Sequence, residues 1–330
     1  MRTARSTIKD VALAAGVTAG TVSRALRGDP RVIESTRERI LGAAQSLHYR
    51  PNLQARGLQT GRTGMVGLAC AGGPWMLVHP YFAPMHAGFT SEASKDGVRV
   101  LLYMPPAEAQ REFEANDLQA RELLDGRVDG GLIYQARNFS PEILRGLQEM
   151  GVAVVLMDAD EEIPGFFQVL SNTEQRVREG LRWARELGAR RAGVLGVQDG
   201  RPAHAMVEPG AEAARLPALA LAHELGHDSG GDALDLAIAA LMRDKPDAVI
   251  FNSGVHAAHF LGLQAQGELP QGLHLFSYGG LRSGAQPFSP GLHYLETDLW
   301  GAGRKAYLMV KEAQDRKPPR TERLAWTRRA

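Results

Sequence analysis

The stretch from Leu221 to Gly231 contains the residue types of a zinc site. His223, Glu224 and His227 form the pattern H-E-x-x-H, in which two histidines one helical turn apart bind zinc and the glutamate acts as a general base in peptide hydrolysis. This chemistry requires a helix, because on a β-strand residues four apart are separated by about 13 Å, too far to share one zinc ion. The metallopeptidase hypothesis therefore depends on the element that carries the pattern.

The flanking sequence favours a strand and a loop over a helix. The residues that lead into the pattern read ALALAHEL, an apolar run typical of a strand, and Gly226 opposes helix formation. Position 233, where a third histidine could complete the site, is alanine, although nearby acids could supply that ligand: Asp228, Asp232 and Asp235. Metallopeptidase is therefore kept only as the alternative interpretation, and we expect no catalytic residue, no cofactor and no metal site.

Length and composition indicate a globular protein of two or three domains. The chain has 330 residues, of which 44% are hydrophobic and 23% charged, proportions outside the disordered and membrane-spanning classes. The longest apolar runs, such as Val152 to Met157, are far shorter than the roughly 20 residues of a transmembrane helix. Cys70 is the single cysteine, so no internal disulfide forms, and we expect a small buried residue at a strand end. The first residues lack the apolar core of a signal peptide, so we expect a cytoplasmic protein.

Positive charge is concentrated at the start of the chain. Residues 1–62 contain 11 lysines and arginines against 4 acidic residues, whereas the remaining residues contain 27 against 33. A small basic segment attached to a mildly acidic one is typical of a module that binds a polyanion, although charge alone fits a solvated tail equally well. The pattern within the segment decides between these interpretations.

The basic segment has the pattern of short helices. Thr7 and Asp10 can form a capping box, apolar residues then recur at helical spacing from Ile8, and Gly16 ends the run. Thr18 can cap a second short helix, AGTVSRAL, and a third is predicted over about residues 34–47. Two short helices joined by a glycine turn are the geometry of a helix-turn-helix.

The segment from Thr7 to Leu68 resembles the amino-terminal module of the LacI family of bacterial transcription regulators. The resemblance is carried by IKDVA, AGV, TVSRAL, TRERI, YRPN and ARGLQT, in that order and at the family's spacing. It implies a DNA-binding head, a hinge helix that orders on operator DNA, and a two-lobed effector domain similar to periplasmic sugar-binding proteins. Ile33 departs from the pattern, since the family commonly has a capping serine there.

The second helix of the head is predicted to enter the major groove. Its first exposed residues are Ala19 and Gly20, which offer a methyl contact or a close backbone approach, and Arg24 lies one turn further and can pair with guanine. The resemblance implies phosphate contacts from hydroxyl groups at four positions, which could also serve capping or packing: Thr7, Thr21, Ser23 and Tyr49. Thr18, at the start of the helix, completes this part of the predicted DNA-binding set.

A hinge is predicted over residues 51–62. Pro51 ends the preceding helix and Asn52 can cap a short one, which is too short to be stable alone in water. The resemblance implies that Leu58 of each subunit inserts into the minor groove and kinks the duplex. The predicted DNA-binding residues of the hinge are Asn52, Ala55, Arg56 and Leu58.

Beyond residue 62 the chain alternates apolar strands with amphipathic helices, the order of a parallel doubly wound sheet. The predicted fold class is α/β, with two-lobed, periplasmic-binding-protein-like doubly wound parallel sheets preceded by an all-α helix-turn-helix head. The predicted domains are the head (1–50), the hinge (51–62) and an effector and dimerisation domain (63–330). Lobe one is expected at about 63–158 with a crossover near 280–298. Lobe two is expected at about 159–279 with part of the carboxyl terminus.

Ligands of such sheets bind at the carboxyl ends of the strands, so the effector is expected between the lobes. The candidate effector-binding residues are Tyr81, Phe82, Asp158 and Asn252, with core packing an equal alternative for Phe82. Sugar-binding relatives hold hydroxyl groups with charged side chains, and at four matching positions this chain has other residues: Ser171, Val207, Ser253 and Gly279. The sequence therefore argues against a typical sugar effector.

We predict a regulator of transcription that is not an enzyme. Its expected partners are a pseudo-palindromic double-stranded operator, a small-molecule effector and a second copy of the chain, because a symmetric site matches a two-fold protein. Repression is favoured over activation. The end of the chain has no leucine heptads of a tetramerising tail, so a homodimer is favoured, with no membrane partner.

Overall fold

The structure is a computed structural model that describes residues 6–50, 61–70, 74–79, 81–104, 113–159, 162–171, 173–195, 218–220, 231–251, 254–278 and 291–329. The chain divides into two compact units, Met1–Thr63 and Gly64–Ala330. We call the first unit the head and the second the body. Among the described residues, no helix has the length and apolar character needed to cross a membrane.

Three short helices form the head: α1 (Ile8–Ala14), α2 (Ala19–Leu26) and α3 (Glu34–Ser46). The predicted capping box is present at α1, where Thr7 Oγ1 accepts from the backbone N–H of Asp10 and the Thr7 N–H donates to Asp10 Oδ2. Gly16 follows α1 with a φ of 64°, in the left-handed region where glycine carries no steric cost. The helices and turn predicted for this segment are thus confirmed.

Apolar side chains from all three helices close a small core in the head. Val11, Val22 and Ile40 are fully buried there, one from each helix. Ile33 precedes α3 without any side-chain capping bond, so no side-chain hydroxyl accepts from the free amides of the first turn.

The body contains two six-stranded sheets. The strands of the first, which forms lobe one, lie in the order β11–β5–β4–β3–β1–β2. Their bounds are β1 (Met65–Cys70), β2 (Arg99–Tyr103), β3 (Gly131–Tyr134), β4 (Val154–Ala159), β5 (Phe167–Leu170) and β11 (Thr321–Arg323). All the ladders between them are parallel. The apolar runs of β1, β3 and β4 occupy central positions, as expected for strands covered on both faces.

The second sheet forms lobe two, in the order β12–β10–β9–β8–β6–β7. Its strands are β6 (Ala192–Leu195), β7 (Ala218–Ala220), β8 (Ala248–Phe251), β9 (His274–Tyr278), β10 (Leu292–Glu296) and β12 (Thr327–Arg329). Only the β10–β12 pair is antiparallel among the described ladders. The last strands of the chain therefore complete one edge of each sheet.

Helices cover the sheets between the strands. Lobe one has α4 (Phe82–Lys95), α5 (Phe113–Leu124), α6 (Pro141–Glu149) and α10 (Leu299–Gln314), and lobe two has α7 (Thr173–Glu186), α8 (Asp232–Arg243) and α9 (Gly254–Ala265). Helices α4 and α10 approach closely because Gly88 faces the Trp300 carbonyl and Gly303 faces the Met85 carbonyl, with no room for a Cβ atom. This pair of glycines holds the last helix of the chain against lobe one.

Sheet membership differs from the expected segments at two strands. Strand β5 was expected in lobe two, yet it pairs with β4 in lobe one. Strand β10 was expected in a crossover to lobe one, yet it pairs with β9 in lobe two. Local sequence predicts that a run is extended, but the neighbour it pairs with is decided by contacts distant in the chain.

Candidate nucleic-acid interface and effector cleft

The amino-terminal end of α2 presents small residues to solvent. Thr18 Oγ1 accepts from the backbone N–H of Thr21 at 3.2 Å and so caps the helix. Ala19 is partly exposed and Gly20 is exposed. The atom that a Cβ added at Gly20 would meet first is Thr18 Oγ1, at 3.8 Å. Gly20 is thus not required by packing within the head, and it keeps the backbone open to a close approach.

Arg24 is the exposed cation of α2 one turn after these small residues. Its Nη2 atom lies 3.5 Å from Thr21 Oγ1, a long contact that leaves the guanidinium available to an acceptor. Ser23 is partly exposed on the same helix. Because the head core buries Val22 and Ala25, the opposite face of α2 is the one that can meet a duplex.

Thr7 and Tyr49 have structural roles in addition to their predicted phosphate contacts. The Thr7 hydroxyl is exposed but lies 2.8 Å from Asp10 Oδ2 within the capping box. Hydrogen bonds from Thr7 lower the pKa of Asp10. Tyr49 is partly buried against the head core, and burial raises the pKa of its hydroxyl. Capping and packing are therefore present at these positions, and the DNA contacts remain predictions.

Arg31 is a candidate for DNA contact that the sequence reasoning missed. It lies exposed in the loop between α2 and α3, and its Nε and Nη2 atoms donate to the two carboxylate oxygens of Asp29 at 3.0 and 2.8 Å. This bidentate pairing lowers the pKa of Asp29 and orients the guanidinium. The spacing of Asp29 and Arg31, two residues apart after the second helix, could have indicated this ion pair from the sequence.

The hinge residues expected to bind DNA lie outside the described residues: Asn52, Ala55, Arg56 and Leu58. The same is true of Asn252 among the expected effector contacts, and of Val207, Ser253 and Gly279 among the positions expected to differ from sugar-binding relatives. For Asp158 the structure describes the backbone, which lies near the carboxyl end of β4.

An aromatic wall lines the carboxyl end of the lobe-one sheet. Tyr81 meets Phe82 edge-on with ring centroids 5.1 Å apart, and Phe82 meets Tyr134 edge-on at 6.0 Å. Phe82 is buried in the core of lobe one, whereas Tyr81 is partly exposed and packs against cores of both lobes. Phe82 thus belongs to the core, and Tyr81 is the wall residue placed between the lobes.

Two histidines add polar chemistry to this region. His79 precedes α4, and its Nδ1 atom accepts from the backbone N–H of Tyr81 at 3.2 Å. His256 is buried in the first turn of α9, directly beyond the carboxyl end of β8. Burial lowers the pKa of each to about 4, and the charge of His256 further lowers that of His79. Neither residue was singled out from the sequence, because an isolated histidine carries no spacing pattern.

A buried arginine, Arg176, packs against Trp326, which is hydrogen-bonded to Ser171. The Arg176 guanidinium in α7 lies over the rings of Tyr278, at 4.6 Å, and Trp326, at 5.1 Å. Trp326 Nε1 donates to the backbone oxygen of Ser171 at 2.9 Å. Two aromatic faces therefore hold a cation near the start of α7.

His223, Glu224 and His227 lie outside the described residues; nearby, β7 at Ala218–Ala220 agrees with the predicted strand. Within the described ranges no three histidine, cysteine or acidic side chains are grouped as metal ligands. Cys70 is buried at the end of β1, as expected, and burial raises the pKa of its thiol to about 12.

Comparisons with known proteins agree with this arrangement. The model of "Bacterial regulatory proteins, lacI family" matches residues 7–52, the segment that contains all three head helices. The head is thus similar to the amino-terminal module of the lacI family. The maltose regulon regulatory protein MalI of Escherichia coli K12 is 33% identical over 189 residues, 54% of this chain and 53% of MalI. The chain thus spans about half the length of this curated relative.

A longer alignment and a solved structure extend the lacI-family likeness to the body. Catabolite control protein A of Staphylococcus xylosus is 27% identical over 84% of this chain and 83% of its own length. The lac repressor dimer bound to operator and the anti-inducer ONPF is 18% identical, with a TM-score of 0.76 over 98% of both chains. The predicted fold class, two lobes preceded in the sequence by a helix-turn-helix head, is therefore confirmed.

Proposed function

We propose that this protein is a sequence-specific DNA-binding regulator of transcription of the lacI family, and a repressor. The observation that carries the proposal is the capped head, in which α2 presents Ala19, Gly20 and Arg24 on a face opposite the buried Val22. Arginine reads guanine in the major groove, and small residues beside it permit close contact with the bases. The positive balance of residues 1–62 adds attraction to phosphate.

Two copies would bind one pseudo-palindromic operator, with one head on each half-site. Leu58 from each hinge would enter the minor groove between the half-sites, and Asn52, Ala55 and Arg56 would contact DNA beside it. Thr7, Thr18, Thr21, Ser23 and Tyr49 would contact the phosphate backbone.

A small molecule bound between the two lobes of the body would regulate this activity without being converted. Tyr81 and the carboxyl ends of β4 and β8 supply the lining, with Phe82 supporting it from the core. The protein would act in the cytoplasm, where its operator is, and carry out no chemistry of its own.

Footprinting of the full chain on the DNA upstream of its own coding region tests the proposal. We expect one protected palindrome at low salt, whose affinity falls steeply as salt rises because phosphate contacts release counterions. Protection of no palindrome at low salt would refute the regulator. Retention of full affinity by Leu58→Ala would refute the hinge contact and leave the head contact standing. Zinc-dependent peptide cleavage that Glu224→Gln abolishes would instead support the metallopeptidase.

A further inference from the structure

A cavity of about 430 Å³ lies in lobe one, between α6 and the segment 163–166 that leads into β5. Its lining is mostly apolar and includes Phe139, Leu144, Ile163 and Phe166. None of the residues expected to bind the effector belongs to this lining. Cavities of this volume are typical of sites for small molecules, so lobe one offers a second candidate site besides the cleft between the lobes.

Two glutamine side chains hold one wall of the cavity in place. Gln168 in β5 accepts from the backbone N–H of Ile163 and donates to its carbonyl oxygen, both at 2.8 Å. Gln168 is buried, so water does not compete strongly for these bonds. Gln148 near the end of α6 donates to the carbonyl oxygen of Pro164 at 2.8 Å. The segment 163–166 is thus bonded both to the sheet and to the helix, and the cavity is preformed.

The opposite wall, α6, is anchored at its first turn. Ser140 Oγ accepts from the backbone N–H of Ile143 and caps the helix. Asp117 of α5 accepts from both the backbone N–H and the hydroxyl of Ser140. Leu144 and Leu147 are buried on one face of the helix. These contacts fix the rotation of α6 and therefore the place of Arg145 along the cavity.

Arg145 is the charged residue of the lining. Its side chain is exposed, and no hydrogen bond or ion pair joins that side chain to another described residue, Glu142 and Glu149 on the same helix included. No acidic residue belongs to the described lining. Because arginine forms paired, charge-assisted hydrogen bonds with carboxylates, an apolar cavity with this cation favours a ligand that carries a negative group.

A neighbouring cavity adds further positive charge. It measures about 500 Å³ and shares Gln148 and Phe166 with the first. Arg316 and Lys317 belong to its lining, again without an acidic residue among those described. Residues 63–330 carry 27 positive against 33 negative side chains, so this grouping of cations is local. A local positive potential attracts anions to the region.

We propose that the cavity beside α6 binds an apolar monocarboxylate. Its hydrocarbon body lies against Phe139, Leu144 and Phe166, and its carboxylate pairs with Arg145. Water on such a lining finds few hydrogen-bond partners, so its displacement by a hydrocarbon favours binding. The carboxylate stays next to an exposed side chain and keeps part of its hydration. This site goes beyond the regulator proposed above and does not depend on it.

Isothermal titration calorimetry of the full chain with three probes tests the class of ligand. Octanoate has both a hydrocarbon body and a carboxylate, 1-octanol has the same chain length without the charge, and acetate has the charge without the body. We expect saturable binding of one octanoate per chain, at least about tenfold tighter than either other probe. Absence of saturable octanoate binding would refute the site. Equal affinities for octanoate and 1-octanol would refute the role of the carboxylate.

Variants at Arg145 test the pairing with the carboxylate. We expect Arg145→Met to weaken octanoate binding by about tenfold and to leave 1-octanol unchanged, since it removes the charge and keeps an apolar stem. Arg145→Lys should restore part of the affinity. Arg121→Met, an exposed arginine of α5 outside the lining, is the matched control and should bind as the original does. A larger loss in Arg316→Met than in Arg145→Met would place the carboxylate in the neighbouring cavity and overturn the assignment.

A variant of the apolar wall tests the location of the hydrocarbon body. Ile163 is partly exposed, and its bonds to Gln168 come from the backbone, so a polar side chain there leaves them intact. We expect Ile163→Glu to abolish octanoate binding, because its carboxylate repels that of the ligand and makes the wall polar. Ile163→Gln, uncharged and of the same size, is the matched control and should bind more tightly than Ile163→Glu. Full octanoate affinity in both variants would refute the site.

Discussion

The Arg37 guanidinium of α3 donates from Nη1 to the backbone carbonyl oxygen of Ala25 at 3.1 Å, near the end of α2. Carbonyl groups in the last turn of a helix lack the usual helical partner, and at Ala25 the guanidinium of Arg37 adds a second donor to the backbone N–H of Gly28, which donates at 3.0 Å. Its Nη2 atom also donates to the carbonyl oxygen of Asp29 at 2.8 Å. One partly buried side chain thus ties the proposed recognition helix and the following loop to α3.

Replacing Arg37 by methionine should destabilise the head while the body remains folded. Loss of hydrogen bonds from a charged donor to buried carbonyl groups costs about 1.5–3 kcal/mol. Hydrogen exchange of head amides in the full chain should therefore accelerate, and amides in the body should be unchanged. Arg39→Met, an exposed arginine on the same helix, is the control. Equal exchange in the two variants would show that the Arg37 bonds contribute nothing.

Replacing Arg24 by alanine should weaken specific DNA binding more than nonspecific binding. A bidentate arginine–guanine pair contributes about 1–3 kcal/mol of discrimination, so operator affinity should fall by roughly ten- to a hundredfold. Fluorescence anisotropy on operator and scrambled duplexes measures both. A uniform loss on the two duplexes would instead assign Arg24 to a phosphate contact.

The glycines between α4 and α10 should not tolerate a methyl group. A Cβ at Gly88 or Gly303 would overlap a backbone carbonyl of the facing helix, and overpacking of this kind costs about 1–3 kcal/mol. Gly146 in α6 and Gly262 in α9 have no atom within 4 Å of the added Cβ, so alanine there should stabilise its helix by about 0.5–1 kcal/mol. Thermal unfolding of the four alanine variants should divide them into these two pairs, and a lower Tm for Gly146→Ala would contradict the argument.

Stability should fall as the pH is lowered from about 6.5 towards 4. The pKa of His79, His86 and His256 is lowered to about 4 by burial from an ordinary value of 6.5. Between these values the unfolded chain binds protons that the folded chain excludes. The free energy of unfolding therefore decreases as the pH falls. Tm measured from pH 7.5 to 4.5 should show this decrease, with a shallower slope in His256→Leu. An unchanged slope in that variant would assign the effect to other groups.

Much of the head was predictable from local sequence. The Thr7–Asp10 box, the Thr18 cap and the turn at Gly16 all lie where the sequence indicated, because capping and turn preferences act over three or four residues. Where a strong periodic pattern is bounded by capping residues, tertiary contacts change the bounds of the helix little.

The type of sheet in each lobe was predictable from the sequence, but the pairing of individual strands was not. Alternating strands and helices indicated two doubly wound sheets, yet β5 and β10 pair in the lobe opposite to the one expected. The sequence of a short strand such as FQVL does not indicate which strand it pairs with. The two short strands at the carboxyl end of the chain were not predicted. Pairing partners are selected by burial and register across residues far apart in the chain.

The expected effector cleft was likewise predictable only in part. Tyr81 and Phe82 could be identified from the sequence as aromatic candidates, but only packing separates a core ring from one that lies between the lobes. His79 and His256 are separated by more than 170 positions in the sequence, and no spacing rule connects them. The sequence by itself indicated the resemblance to the lacI family, the helix-turn-helix head and the order of elements, because these depend on local patterns. Only the tertiary structure decided which side chains share a buried environment, and that environment sets their pKa and their hydrogen-bonding state.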